Sequence, residues 1–193
     1  MKVTLDEVAV IKAGHPFRGS IKESEQGNGY VIQTRDQNAD GQIYWEKLTL
    51  TDVVGRKDPD WLVENDIIFT ARGARNLASV MPDISKPIVC SPHYFQIRVN
   101  SANLLPEFLG WQLNQVEAQR YFQQSAEGSA QVSIRRNVLD KTPITIPPLE
   151  TQYQVLNIVK NEQRQRQIYQ KLIELKRLEL DAITQSILKE STN

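Results

Sequence analysis

The chain has 193 residues, about 40% of them apolar, which suffices for one compact core and not for two. Its 23 Lys and Arg balance 23 Asp and Glu, so no global field draws it onto a polyanion, and any nucleic-acid contact must rest on a local basic face or on partner subunits. The single cysteine, Cys90, excludes an internal disulfide and any multi-cysteine zinc centre.

The N-terminal run from Met1 to Gly14 has Asp6, Glu7 and Lys12 among its apolar residues. It therefore offers neither a signal core nor a membrane span, and a cytoplasmic protein is expected. Tyr30 to Thr34 and Gln42 to Leu50 read as two strands around the turn Asn38-Ala39-Asp40-Gly41, with Asp-Gly as the turn signal. Ile67 to Ala71 and Ile88 to Val99 are further strand candidates, with Cys90 in the second as buried filler. From Leu105 to Gln124 the residues Phe108, Leu109, Trp111, Leu113, Val116, Tyr121 and Phe122 recur near helical spacing, and Pro106 is placed to open the helix. Pro147 and Pro148 then end strand-like sequence, and Glu150 and Thr151 suit a first helical turn. No Pro or Gly interrupts the chain from Glu150 to Ser191, so a helix of roughly 60 Å is expected at about 1.5 Å per residue. The fold class is α+β, with a globular domain over 1–149 and a long helix over 150–193.

On that helix Ile168, Leu172, Leu175, Ile183 and Ile187 form one broad stripe, with Tyr169, Ile173 and Leu180 along its edge. Between Lys160 and Gln167 there is no apolar residue. A lone helix cannot keep such a stripe wet, so the stripe predicts pairing with another helix, the natural candidate being its own copy. The polar segment reads as solvated, or as facing a polar partner surface.

Most constellations suggestive of chemistry resolve into ordinary structure. Asp36-Gln37-Asn38-Ala39-Asp40-Gly41 resembles the first half of a calcium loop, yet Lys47 stands where a bidentate Glu should close the cage, and a hairpin turn is expected instead. Ser91-Pro92-His93-Tyr94 is one residue from the tetrapeptide with which amino-methyltransferases hold a flipped base. No Gly-rich turn for a methyl donor precedes it, and the length leaves no space for a doubly wound core. Glu174 and Lys176, with Asp60 or Asp83, mimic nuclease composition, but the first two lie on helix positions that do not face each other. His15 and His93 have no nucleophile beside them. Neither a catalytic residue nor a metal site is expected.

What remains is a set of basic and amide residues in loops. Arg72-Gly73-Ala74-Arg75-Asn76 follows a strand, and Ser133-Ile134-Arg135-Arg136-Asn137 follows the turn at Gly128-Ser129. Arg forks and Asn amides match guanine and adenine edges bidentately, and an adjacent Gly permits close backbone approach to phosphate. With Ser129, Gln131, Lys22, Gln33 and Arg35, the residues Arg72, Arg75, Asn76, Ser133, Arg135 and Arg136 make the candidate DNA face.

The segment Pro147-Pro148-Leu149-Glu150-Thr151-Gln152 resembles the Pro-Pro-Leu-x-Glu-Gln junction of type I restriction-modification specificity subunits, with Thr151 in place of the Glu. Glu64-Asn65-Asp66-Ile67-Ile68-Phe69 with Arg72-Gly73 is similar to the family's Gly-Asp-Ile-Leu strand followed by Arg-Gly. Here Asn65 replaces the Gly, and Asn tolerates the left-handed turn such a position needs. Gly128-Ser129-Ala130-Gln131 ahead of Val138-Leu139 completes the likeness, which covers nearly the whole chain. The resemblance implies a single target recognition domain followed by a spacer helix, about half of a family subunit, that reads double-stranded DNA and performs no chemistry. It also implies a partner adenine methyltransferase subunit carrying the S-adenosylmethionine site, and a motor-nuclease subunit that can join, so that no cofactor belongs to this chain. The alternative is an adaptor or regulator that competes with a full-length specificity subunit without reading DNA, a reading supported by the neutral charge.

Overall fold

A computed structural model describes residues 1–55, 58–73, 75–125 and 133–190, the last of these without its side chain. The chain divides into two compact units, Met1–Leu149 and Glu150–Asn193. It is a mixed α+β structure with a long C-terminal helix.

The first unit is built on three small sheets. A four-stranded antiparallel sheet has the order β2 (Ala9–Ala13), β8 (Tyr94–Val99), β5 (Ile67–Thr70) and β6 (Ala78–Val80). A three-stranded sheet places β3 (Gly29–Ile32) between β4 (Thr49–Thr51), which is antiparallel to it, and β7 (Ile88–Cys90), which is parallel. A short pair joins β1 (Lys2–Thr4) to β9 (Pro143–Thr145). All four residues of β5 are buried, which explains why this strand reads as a continuous apolar run with no polar alternation. Phe69 on β5 packs against Phe122 with ring centroids 4.9 Å apart. Ile32, Ile68, Met81, Cys90 and Tyr94 form one core cluster. Cys90 is filler in it, and burial pushes its thiol up to about 12.

The turn into β5 is built as the residue types require. Asn65 takes the left-handed conformation at φ 68°. Asp66, only 1% exposed, accepts from Arg98 Nε and Nη2, both at 2.7 Å, from Gln96 Nε2 at 2.7 Å and from the Val63 N–H at 2.9 Å. A buried carboxylate is tolerated here because its lone pairs are filled by donors, one of them a bidentate guanidinium.

Three sequence expectations need correction. Gln42 to Leu50 is not a continuous strand: a single bridge, Gln37 to Ile43, is followed by a 3₁₀ turn at Trp45–Lys47 before β4. The turn at 38–41 does form, with Asn38 Oδ1 accepting the N–H groups of Asp40 and Gln42 and Gly41 at φ 81°. Ile88 to Val99 is two strands in two different sheets, because the chain turns at Ser91-Pro92-His93 where Pro cannot donate to a ladder. The helix from Leu105 to Gln124 is likewise two, α1 (Pro106–Leu113) and α2 (Val116–Ser125). Asn114 breaks it by turning its amide to the edge of β6, donating to the Ala78 carbonyl at 2.9 Å and accepting the Ala78 N–H at 2.8 Å. A five-residue helix, α3 (Arg136–Asp140), precedes β9.

The second unit is α4 (Leu149–Glu190), 42 residues without interruption. Ile168, Tyr169, Leu172, Ile173, Leu175, Leu180, Ile183 and Ile187 are each about half or more exposed. Taken at 3.6 residues per turn, these side chains cover an arc of roughly 160°. They fall into two adjacent seams of 4-3 spacing, one through Ile168, Leu172 and Leu175, the other through Tyr169, Ile173, Leu180, Ile183 and Ile187.

Candidate nucleic-acid interface

Strand β5 ends at Thr70, and the chain then enters the loop that leads to β6. The first residues of this loop are stitched to two other segments. Both the Ala71 and the Arg72 N–H donate to the His93 carbonyl, at 2.8 and 3.1 Å, and the Ile134 N–H donates to the Ala71 carbonyl at 2.9 Å. Arg72 and Ser133 form an isolated antiparallel bridge. Backbone pairing thus brings the 70–76 loop beside the 133–136 segment, although more than fifty residues separate them in sequence.

The hairpin between β3 and β4 closes the face from another direction. Arg75 Nη1 donates to the Ala39 carbonyl at 3.2 Å. Gln37 sits under the loop, its Oε1 accepting from Thr70 Oγ1 at 2.7 Å and its Nε2 donating to Ser79 Oγ at 2.6 Å. Between the hairpin and the loop lies a cleft of about 250 Å³ lined by Thr34, Gln37, Asn38, Thr70, Gly73 and Arg75, among others. Arg72 and Arg75 are both exposed.

The residues singled out from sequence fall into six groups. Arg75 lines this cleft, and Arg72, on the same loop, pairs with Ser133. Gln33 and Arg35 lie beside it on the hairpin, where Gln33 Nε2 and Arg35 Nη2 donate to Thr49 Oγ1 at 3.1 and 2.9 Å. Arg135 caps α3 and Arg136 pairs with Asp140 at 3.1 Å within that helix. Lys22 stands apart from the cleft. Its carbonyl accepts from Thr51 Oγ1 at 2.7 Å, and it lines a separate depression with Arg18, Asp52 and Asp58. Asn76 differs from the expectation for a base-reading amide: it is 6% exposed and its amide donates to the Thr70 carbonyl at 2.8 Å, so it shapes the loop from below. Ser129 and Gln131 lie outside the described residues. Thr34 and Gln37 also line the cleft, and sequence does not single them out, because they sit in an unbroken polar run from Gln33 to Asn38.

The electrostatics around the hairpin include one buried carboxyl. Asp36, 2% exposed, is pushed above its ordinary value by burial, against the opposing pulls of the Gln33 N–H, Arg35 and Lys47. No group of three or more metal-ligating side chains occurs among the described residues, and no described helix is long and apolar enough to cross a membrane.

An α+β unit with exposed arginines on its loops, followed in the chain by an unbroken helix of 42 residues, defines the structural class. A family model described as the type I restriction modification DNA specificity domain matches residues 1–180. The chain belongs to that family. Among solved structures it is similar to the S subunit of a type I restriction-modification system from M. genitalium, at 17% identity and a TM-score of 0.58, covering 92% of this chain and 42% of that one. It is similar to a chain of a type I R-M system described for its complex assembly and conformational transition, at 18% identity and a TM-score of 0.66, covering 88% and 44%. The HsdS subunit from Thermoanaerobacter tengcongensis matches at 18% identity and a TM-score of 0.63, covering 86% and 37%. Identities this low carry the fold alone, and the chain spans less than half the length of each of these structures. No curated protein sequence gives a significant match.

Proposed function

We propose that the chain is a DNA sequence-recognition subunit of a type I restriction-modification system, working as a homodimer that reads an interrupted palindrome. The observation that carries the reading is the pairing of Arg72 with Ser133, from segments more than fifty residues apart, on a loop whose exposed Arg75 is tied to the Gln33–Arg35 hairpin. The two guanidinium groups, on a loop anchored by backbone hydrogen bonds, suit phosphate positioning and base-edge contact. The neutral total charge assigns part of the affinity to partners. Chemistry on DNA is left to an adenine methyltransferase subunit, which brings the S-adenosylmethionine site, and to a motor-nuclease subunit where one joins.

The helical arm supports the same reading. Its two adjacent apolar seams offer one surface for a second copy, through Ile168, Leu172, Leu175, Ile183 and Ile187, and further surface for a helix of the methyltransferase subunit. Light scattering and gel retardation test the proposal together. The wild-type chain is expected to be a dimer at tens of micromolar, corresponding to roughly −7 kcal/mol of association, and Leu172→Asp/Leu175→Asp a monomer. The wild type with its methyltransferase subunit is expected to retard duplex DNA without cleaving it in magnesium. A monomeric wild type at that concentration sinks the homodimer, and an unretarded duplex favours an adaptor that competes with a full-length specificity subunit.

A further inference from the structure

The cleft between the hairpin and the β5–β6 loop has rigid walls. Gln37 is its strut, holding Thr70 and Ser79 at once and lying 3.4 Å from the Tyr94 hydroxyl. Ser79 in turn donates to the Gly41 carbonyl, which ties the hairpin tip to β6. Gly73 lines the cleft without a side chain: a Cβ there would lie 3.0 Å from Thr70 Cγ2 and 4.0 Å from Thr34 Cγ2. The opening is thus kept clear where the walls come close.

Arg75 stands at the rim. One Nη1 N–H is committed to the Ala39 carbonyl at 3.2 Å, which removes much of the rotational freedom of a long side chain. Four of the five guanidinium N–H groups remain, including the pair on Nε and Nη2 that forms the side-on fork. A guanidinium pinned in one plane is preorganised for a bidentate partner, a base edge or a phosphate, and the two differ in readout: losing a phosphate contact lowers the salt slope, losing a base contact changes preference at one position. A donor-only fork complements a pair of acceptors, and in the major groove the purine that presents two is guanine, through O6 and N7.

We infer that this cleft reads a guanine in each half-site, Arg75 forking to O6 and N7 while Gln37 acts as the positioning residue that holds the walls apart. The inference rests on the DNA-reading function proposed above and narrows it to one base at one position. Selection of bound sequences from a pool of randomised duplexes by the full chain with its methyltransferase subunit, at micromolar protein and low salt, tests it. The wild type is expected to enrich a motif with an invariant guanine. Arg75→Gln removes the donor-only fork, so preference for guanine at that one position falls by about 5- to 150-fold while the rest of the motif and the salt slope of binding stay. Gly73→Val fills the cleft and leaves Arg75 in place, and the same single position relaxes. If both variants select the wild-type motif, Arg75 holds a phosphate or nothing, and the inference falls while DNA reading stands. If the wild type enriches no motif, the DNA-reading function falls and takes this inference with it.

Discussion

Asp36 shows at the scale of one residue how burial, and not partner count, sets a carboxyl's behaviour. Its carboxylate accepts the Gln33 N–H at 2.8 Å and lies 3.8 Å from Arg35 Nε, yet burial outweighs both and raises it above the ordinary 3.8. A raised carboxyl means that the unfolded chain ionises first as pH rises. Folding stability contributed by this group is therefore intact below the unfolded value and is lost as pH climbs through the folded one. Asp36→Asn keeps an acceptor for the Gln33 N–H and removes the titration. Urea melts are expected to show the variant more stable than wild type at pH 7, with the difference disappearing on acidification below the ordinary carboxyl range. A wild-type advantage at pH 7 that vanishes in acid would show that the Arg35 and Lys47 charges dominate instead.

At the scale of the element, side-chain amides decide where helices stop. Asn114 gives β6 the two hydrogen bonds that a neighbouring strand would give, and the helix yields at that point. Gln119 Nε2 covers the end of α1 by donating to the Leu113 carbonyl at 2.8 Å. Asn114→Ala leaves unpaired the N–H of Ala78, itself only 4% exposed, and the cost of a buried unsatisfied donor is about 1–3 kcal/mol. Chemical denaturation is expected to show that loss with an unchanged slope, and faster amide exchange at Ala78. Helix pattern in the sequence predicts the apolar face on both sides of the break, so the interruption was not visible in periodicity. It is a tertiary contact.

At the scale of the whole molecule, symmetry turns the proposed dimer into a prediction about DNA. Two identical reading faces related by a two-fold axis read the same half-site in inverted orientation, so an interrupted palindrome is expected, with half-site centres about 10 base pairs apart. In the proposed homodimer the long helix is the ruler. Deleting seven residues, Lys160 to Arg166, turns the remaining helix by only about 20° and shortens it, because none of the deleted residues belongs to either apolar seam. Methylation mapping is expected to return the same half-sites with a shorter gap. One asymmetric, uninterrupted site, or a gap indifferent to the deletion, would contradict the symmetric ruler.

Local chemistry was legible wherever a residue has few conformational choices. Pro147 and Pro148 announced the start of α4, Pro106 the start of α1, and Asn65 the left-handed turn into β5, since each restricts φ or hydrogen bonding irrespective of what packs around it. The Asn38 to Gly41 turn is of the same kind. What the sequence left undecided were pairings between distant segments: that Ile88 to Val99 divides between two sheets, and that Asn76 turns inward while Arg75 stays out. The cleft itself belongs to this second group. It exists because Gln37, Thr70 and Ser79 satisfy one another across more than thirty residues of chain, and a buried amide takes whichever partner the fold brings within about 3 Å, which no local pattern records.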